Sequence, residues 1–209
     1  PVRSTNFGMY FDVMSKPNPN DLAYKPIALP PHTDNPYRTP VPGIQFLHCL
    51  ENEVSGGFST LVDGFAVADY LKSKDVDAFN SLTSTKIRFR FQDSSIVLEN
   101  WGELIELDED LNLKQVRYST RVEYVPPMPQ DKLNSFYRAR KILSDLYSSS
   151  QFELKFKLQK GDIMMFDNHR LLHGRTSYDP NEGMRHLQGC YLDFDSTDGK
   201  LRHLKRKFG

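Results

Sequence analysis

Residues 152–175 read FELKFKLQKGDIMMFDNHRLLHGR. Phe152, Leu154, Phe156 and Leu158 alternate with polar residues, the pattern of a strand with one apolar side. Gly161-Asp162 then signals a tight turn, and the apolar run over 162–167 predicts the returning strand. A second short apolar segment follows at once and ends at His173-Gly174. Short strands joined by tight turns are the unit of an antiparallel β-protein.

The same punctuation extends outward. Residues 43–50 (GIQFLHCL), 59–62 and 85–92 predict strands; in the last, Ile87, Phe89 and Phe91 alternate with Lys86, Arg88 and Arg90. Shorter strands are expected at 95–98, 104–107 and 114–118, and a further one at 186–194. Helical spacing is confined to 65–72, 76–82 and 130–149, where Leu133, Phe136, Tyr137, Arg140, Leu143 and Leu146–Tyr147 recur. The basic stretch 200–207 predicts a surface helix. Residues 1–42 are rich in proline and predict a rigid, looping segment with few ladder donors. Many short strands with a few helices argue for a mainly β fold with helical insertions, a sandwich or jelly roll.

A chain of 209 residues holds one good-sized domain or two small ones. We expect a single catalytic domain over 1–209, because no linker divides it. Lys+Arg and Asp+Glu are both 27, so no basic excess points to nucleic acid. The two cysteines exclude a disulfide framework and fit a reducing, cytoplasmic compartment. No apolar run approaches the ~18 residues of a membrane span. The chain opens at Pro1 without Met, and Thr5–Asp12 reads as the middle of something longer. An N-terminal truncation is therefore expected.

Histidines 32, 48, 169, 173, 186 and 203 are the first candidates for chemistry. In His32-Thr33-Asp34, an extended backbone points the first and third side chains to one face. One more histidine would complete the two-His-one-carboxylate triad of non-haem Fe(II) oxygenases, and His173 is the best placed. An HxD triplet also arises without a metal. His48, inside a strand, is expected to pack, and His169 to lie near the site without ligating. Arg185 follows His173 by twelve residues, and its guanidinium suits bidentate capture of a carboxylate. It could instead pair with Asp179 or Glu182. Gly56-Gly57-Phe58-Ser59 offers close backbone approach and a hydroxyl, or a simple hairpin.

Together, HTDNPYRTPVPGIQFLHCLENEVSGGFSTLVDGF and GDIMMFDNHRLLHGRTSYDPNEGMRHLQGCYLDFD resemble the γ-butyrobetaine and trimethyllysine hydroxylases. These are taurine-dioxygenase-like Fe(II)/2-oxoglutarate oxygenases. The resemblance covers nearly the whole chain and lacks only the relatives' small N-terminal domain. It implies a double-stranded β-helix (jelly roll) and metal ligation by His32, Asp34 and His173. It also implies 2-oxoglutarate binding by Arg185 with Ser59, and a requirement for Fe(II), 2-oxoglutarate and O2, with ascorbate as a stimulant. It places an aromatic cage for a trimethylammonium group at Phe7, Phe11, Tyr24 and Tyr191. Such a cage reads a quaternary cation through its π faces. Phe7 and Phe11 stand where relatives carry Tyr and Trp, which leaves open how well the cage selects a cation.

Asp21 stands where butyrobetaine hydroxylases have Asn and trimethyllysine hydroxylases have Asp. An Asp there favours a substrate with an amino group at its far end, or merely caps a turn. The HTDNPYR stretch is also similar to bacterial relatives, some of which hydroxylate trimethylaminoethylphosphonate; Arg38 either meets an anion there or is a solvated loop residue. The expected partners are a small-molecule substrate, no nucleic acid, no membrane, and a second copy as an option. The rival readings are a non-catalytic jelly-roll binding module and a metal-assisted hydrolase.

Overall fold

In the computed structural model, residues 1–14 and 25–209 are described. The strands and helices follow in chain order. Phe11–Met14 (β1), Leu29–His32 (β2), Ile44–Asn52 (β3) and Ser59–Asp63 (β4) come first. Helices Gly64–Lys74 (α1) and Val76–Ser84 (α2) follow, then Ile87–Gln92 (β5), Val97–Gly102 (β6), Ile105–Leu107 (β7), Leu113–Val116 (β8) and Glu123–Tyr124 (β9). Gln130–Tyr147 (α3), Glu153–Phe156 (β10), Ile163–Asp167 (β11), Leu171–Arg175 (β12), Arg185–Leu192 (β13) and Phe194–Phe208 (α4) complete the chain.

Eight strands make two four-stranded antiparallel sheets, β1-β13-β3-β11 and β10-β4-β12-β2. This is the expected jelly roll. Everything from α1 to α3 is inserted between β4 and β10, and it carries a three-stranded and a two-stranded sheet of its own.

Two apolar clusters follow from the alternation along the strands. Leu172 and Val62 are cross-strand partners, and both join the helical insertion, where Phe79, Phe89, Phe136 and Leu143 are buried. One residue on, His173 and Leu61 are partners on the opposite face of that sheet. Between the sheets lies the second cluster, built from Leu47, Cys49, Leu158, Met164, Phe166 and Leu187.

Helix starts are set by local chemistry. Asp63 caps α1 by accepting from the Phe65 and Ala66 N–H groups, and Asp75 caps α2 by accepting from Ala78. In α3 the buried face is Phe136, Ala139, Leu143 and Tyr147, while Tyr137 turns outward. Gln159–Asp162 is closed by Asp162 N–H donating to the Gln159 carbonyl, which bears out the turn.

Three expectations need correction. The proline-rich opening contributes β1 and β2, because strands at a sheet edge need donors on one side only. The alternation at 152–158 yields a short edge strand in which Leu154 is 61% exposed. The tail helix begins at Phe194, well before 200. No helix among the described residues is long and apolar enough to cross a membrane. Phe136 is fully buried where α3 meets the insertion core, so Phe136→Ala should destabilise the protein by about 3–5 kcal/mol, read as a lowered urea midpoint at unchanged slope.

Candidate active site

The site begins with a strand pairing. β2 and β12 are neighbours, and His32 and His173 are register partners, with ring centroids 4.3 Å apart. His32 Nδ1 lies 2.9 Å from the Pro30 carbonyl, which can only accept. Nδ1 therefore carries hydrogen, and Nε2 faces the site. That Nε2 lies 3.3 Å from Asp34 Oδ1, and His173 Nε2 lies 3.8 Å from Asp34 Oδ2. All three potential ligand atoms fall within 4.8 Å of one another.

The electrostatics fit a cation. Burial pushes the His173 imidazole down to about 3, and the neighbouring His32 adds to this against the pull of Asp34. His173 is thus a neutral donor at physiological pH. Burial alone would raise the Asp34 carboxyl. The two histidines and the Tyr191 hydroxyl outweigh it and hold Asp34 far below the usual carboxylate range. A half-buried carboxylate between imidazole nitrogens is a donor set suited to a divalent transition metal with open positions.

Asp34 is gripped on every side. Its N–H donates to Asn168 Oδ1 at 2.7 Å, and its carbonyl accepts from Asn168 Nδ2 at 3.0 Å. Asn168 is fully buried and also donates to the Pro42 carbonyl. Gln45 Nε2 and the Tyr191 hydroxyl both donate to Asp34 Oδ2, at 2.8 and 2.6 Å. Asn35, the next residue, has a positive φ of 54° and accepts from the Tyr37 hydroxyl.

A cavity of about 770 Å³ opens beside this group, and His32, Asp34, His173, Arg185, Ser59 and Tyr191 all line it. Arg185 is 5% exposed and donates through Nε to the Gly57 carbonyl at 3.3 Å. Gly57 has φ +67°, and a Cβ there would lie 2.7 Å from Arg185 Nε. The glycine pair therefore makes room for the guanidinium. Burial, then the charge of Arg175, pulls the Arg185 pKa down to about 10. Ser59 is buried and is the register partner of Arg175. Arg175 is buried too, and its guanidinium carbon and that of Arg185 lie 5.0 and 5.6 Å from the Tyr178 ring.

The aromatic candidates come together only in part. Phe11 stacks on Tyr191 at 5.0 Å, its ring crossing Gly189, the position paired with Phe11. Phe7 lines the cavity elsewhere, edge-on to Phe91 at 5.6 Å. Tyr24 and Asp21 lie outside the described residues. Arg38 is off the cavity wall; it donates to Asn6 and sits 5.8 Å from the Tyr37 ring centre. His169 approaches the Val41 carbonyl and the Phe194 ring without joining the cluster. His48 is half-buried and outside it as well. Glu182 accepts from Ser55 and Asp179 from Asn181, so neither pairs with Arg185.

Sequence reasoning missed Gln45, Asn168 and the cavity-lining cations Lys25, Arg90 and Arg121. Gln45 carried a signal, a polar residue on the same strand face as buried Leu47 and Cys49.

The family described as "Taurine catabolism dioxygenase TauD, TfdA family" matches residues 2–191, and the chain belongs to it. A gamma-butyrobetaine dioxygenase from Pseudomonas sp. (strain AK-1) is 36% identical over 205 residues, covering 98% of this chain and 54% of that protein. The mitochondrial trimethyllysine dioxygenase of Bos taurus is 32% identical over 215 residues, covering 97% of this chain and 49% of that protein. The chain thus spans about half the length of the curated relatives it matches. Among solved structures, an asparagine oxygenase in complex with Fe(II), 3-hydroxyasparagine and succinate superposes with a TM-score of 0.69 at 19% identity. That match covers 88% of this chain and 56% of the other, and it shares the fold.

Asn168→Ala would leave the Asp34 N–H and carbonyl unpaired in a buried setting. At about 1–3 kcal/mol for each orphaned group, the variant should lose roughly 2–6 kcal/mol in chemical denaturation. A loss below about 1 kcal/mol would show that water replaces the amide.

Proposed function

We propose that this chain is an Fe(II)- and 2-oxoglutarate-dependent dioxygenase that hydroxylates a small trimethylammonium substrate of the γ-butyrobetaine type. One observation carries the reading. A buried guanidinium, Arg185, pairs with no carboxylate among the described residues, and it shares a cavity with the His32–Asp34–His173 group. A buried, unpaired cation beside such a triad suits a ligand that brings a carboxylate at one end and metal-binding oxygens at the other.

His32, Asp34 and His173 would hold the iron. When bound, it supplies O2 activation coupled to oxidative decarboxylation of 2-oxoglutarate to succinate and CO2. The residues of this chain bind and orient. Arg185 takes the distal carboxylate of 2-oxoglutarate with Ser59 beside it. Gly57 leaves the guanidinium its space.

Substrate choice rests on two supports. Phe7, Phe11 and Tyr191 give the cavity aromatic faces for a cation that cannot donate a hydrogen bond. Lys25 on the same cavity favours a substrate whose other end is anionic. Relatives named gamma-butyrobetaine dioxygenase, 36% identical to this chain, support a betaine. The second reading, trimethyllysine, keeps its support in Asp21 and in the relatives of that name. Two free thiols, Cys49 and Cys190, suit a reducing, cytoplasmic setting.

The test is succinate formation from 2-oxoglutarate across betaines, trimethyllysine and trimethylammonium phosphonates, with and without Fe(II). We expect iron-dependent turnover, highest with γ-butyrobetaine; its absence with every substrate would sink the reading. Arg185→Lys should raise the KM for 2-oxoglutarate about tenfold or more, because a point charge replaces a bidentate fork. Replacing trimethylammonium by tert-butyl should weaken substrate binding by about 1–2 kcal/mol, and equal binding would reduce the aromatic lining to an apolar wall.

A further inference from the structure

Asp34 Oδ2 already has two donors, from Gln45 and Tyr191, and lies 3.8 Å from His173 Nε2, while Oδ1 lies 3.3 Å from His32 Nε2 and accepts neither of those two hydrogen bonds. The two donors share an origin. Gln45 and Tyr191 are register partners on β3 and β13, in the sheet opposite the histidine pair. We propose that this cross-strand pair positions Asp34 as a one-oxygen metal ligand, occupying Oδ2 so that only Oδ1 is offered to the ion. The inference rests on the metal reading above and adds two residues to it.

Gln45 cannot be turned around without loss. Rotating its amide would aim a carbonyl oxygen at the Asp34 carboxylate. In the observed orientation Oε1 is buried and has no hydrogen-bond partner. An apolar residue of similar length would avoid that unsatisfied oxygen, since Gln45 is 1% exposed and flanks an apolar core. Its donor to Asp34 is the one contact that offsets the loss.

Tyr191 is preset in the same way. Its ring is fixed by the stack on Phe11, and Phe11 can lie there because Gly189 has no side chain. The hydroxyl therefore arrives at Oδ2 without ordering anything new. A chelating carboxylate would have to give up both hydrogen bonds. Keeping them leaves more of the coordination sphere for other ligands.

A filler role for Tyr191 predicts that phenylalanine serves equally, because the ring and its stack remain. The test uses the full chain, stripped with chelator and titrated with Co(II) alone under anaerobic conditions. Tyr191→Phe and Gln45→Leu should each weaken Co(II) binding by roughly 10–100-fold. The visible Co(II) spectrum should change as the second carboxylate oxygen is released. Circular dichroism checks folding, and if one variant fails to fold, the other carries the test. Binding within twofold of wild type in a folded variant, with an unchanged spectrum, would overturn the proposal. If wild type binds Co(II) and the variants match it, only this inference falls. If wild type binds no Co(II), the metal reading falls and takes this inference with it.

Discussion

A half-buried carboxylate held between two β-sheets is the constraint around which this molecule is arranged. Asp34 carries its charge at a depth where an unpaired anion is costly, so the surroundings are committed to satisfying it. One sheet supplies His32 and His173 as cross-strand partners. The other supplies Gln45 and Tyr191 as cross-strand partners. Asn168 holds the backbone between them. Two pairs of side chains meet at one residue because antiparallel registers place residues opposite one another. A slip of one residue in β3 or β12 would turn Gln45 or His173 out of the site.

The helical insertion supports this arrangement from outside. Leu172 and Val62 bury their side chains among α1, α2 and α3, while their chain neighbours His173 and Leu61 face the sandwich interior. The same strand serves core and site with alternate residues. Stability invested in the insertion core therefore fixes where His173 points.

The cavity's polarity shows a division of labour. Arg185 and Arg175 are buried near one aromatic ring, Tyr178, and repel each other. An anion relieves that repulsion. The triad region carries the opposite need, a cation among Asp34 and two imidazoles. A ligand that bridges the two, carboxylate at one end and metal-binding oxygens at the other, meets both needs at once.

Much of this was legible in the residues. Period-2 alternation in IRFRF and FELKFKL, and the turn at Gly161-Asp162, specified short antiparallel strands, because side-chain alternation is a local property of extended chain. His32, Asp34, His173 and Arg185, which the structure gathers on one cavity, were legible as candidates because metal and carboxylate chemistry demand particular side chains. The edge strands β1 and β2 were not, since edge pairing depends on which strand is adjacent. Gln45 and Asn168 were hidden for the same reason: an amide shows its purpose only when its partner is known. The sequence by itself determined which groups could bind a metal and an anion, and the period of each strand. Only the tertiary structure decided which strands pair and in which register, because those contacts join residues as far apart as Asp34 and Tyr191, and no local pattern encodes that distance.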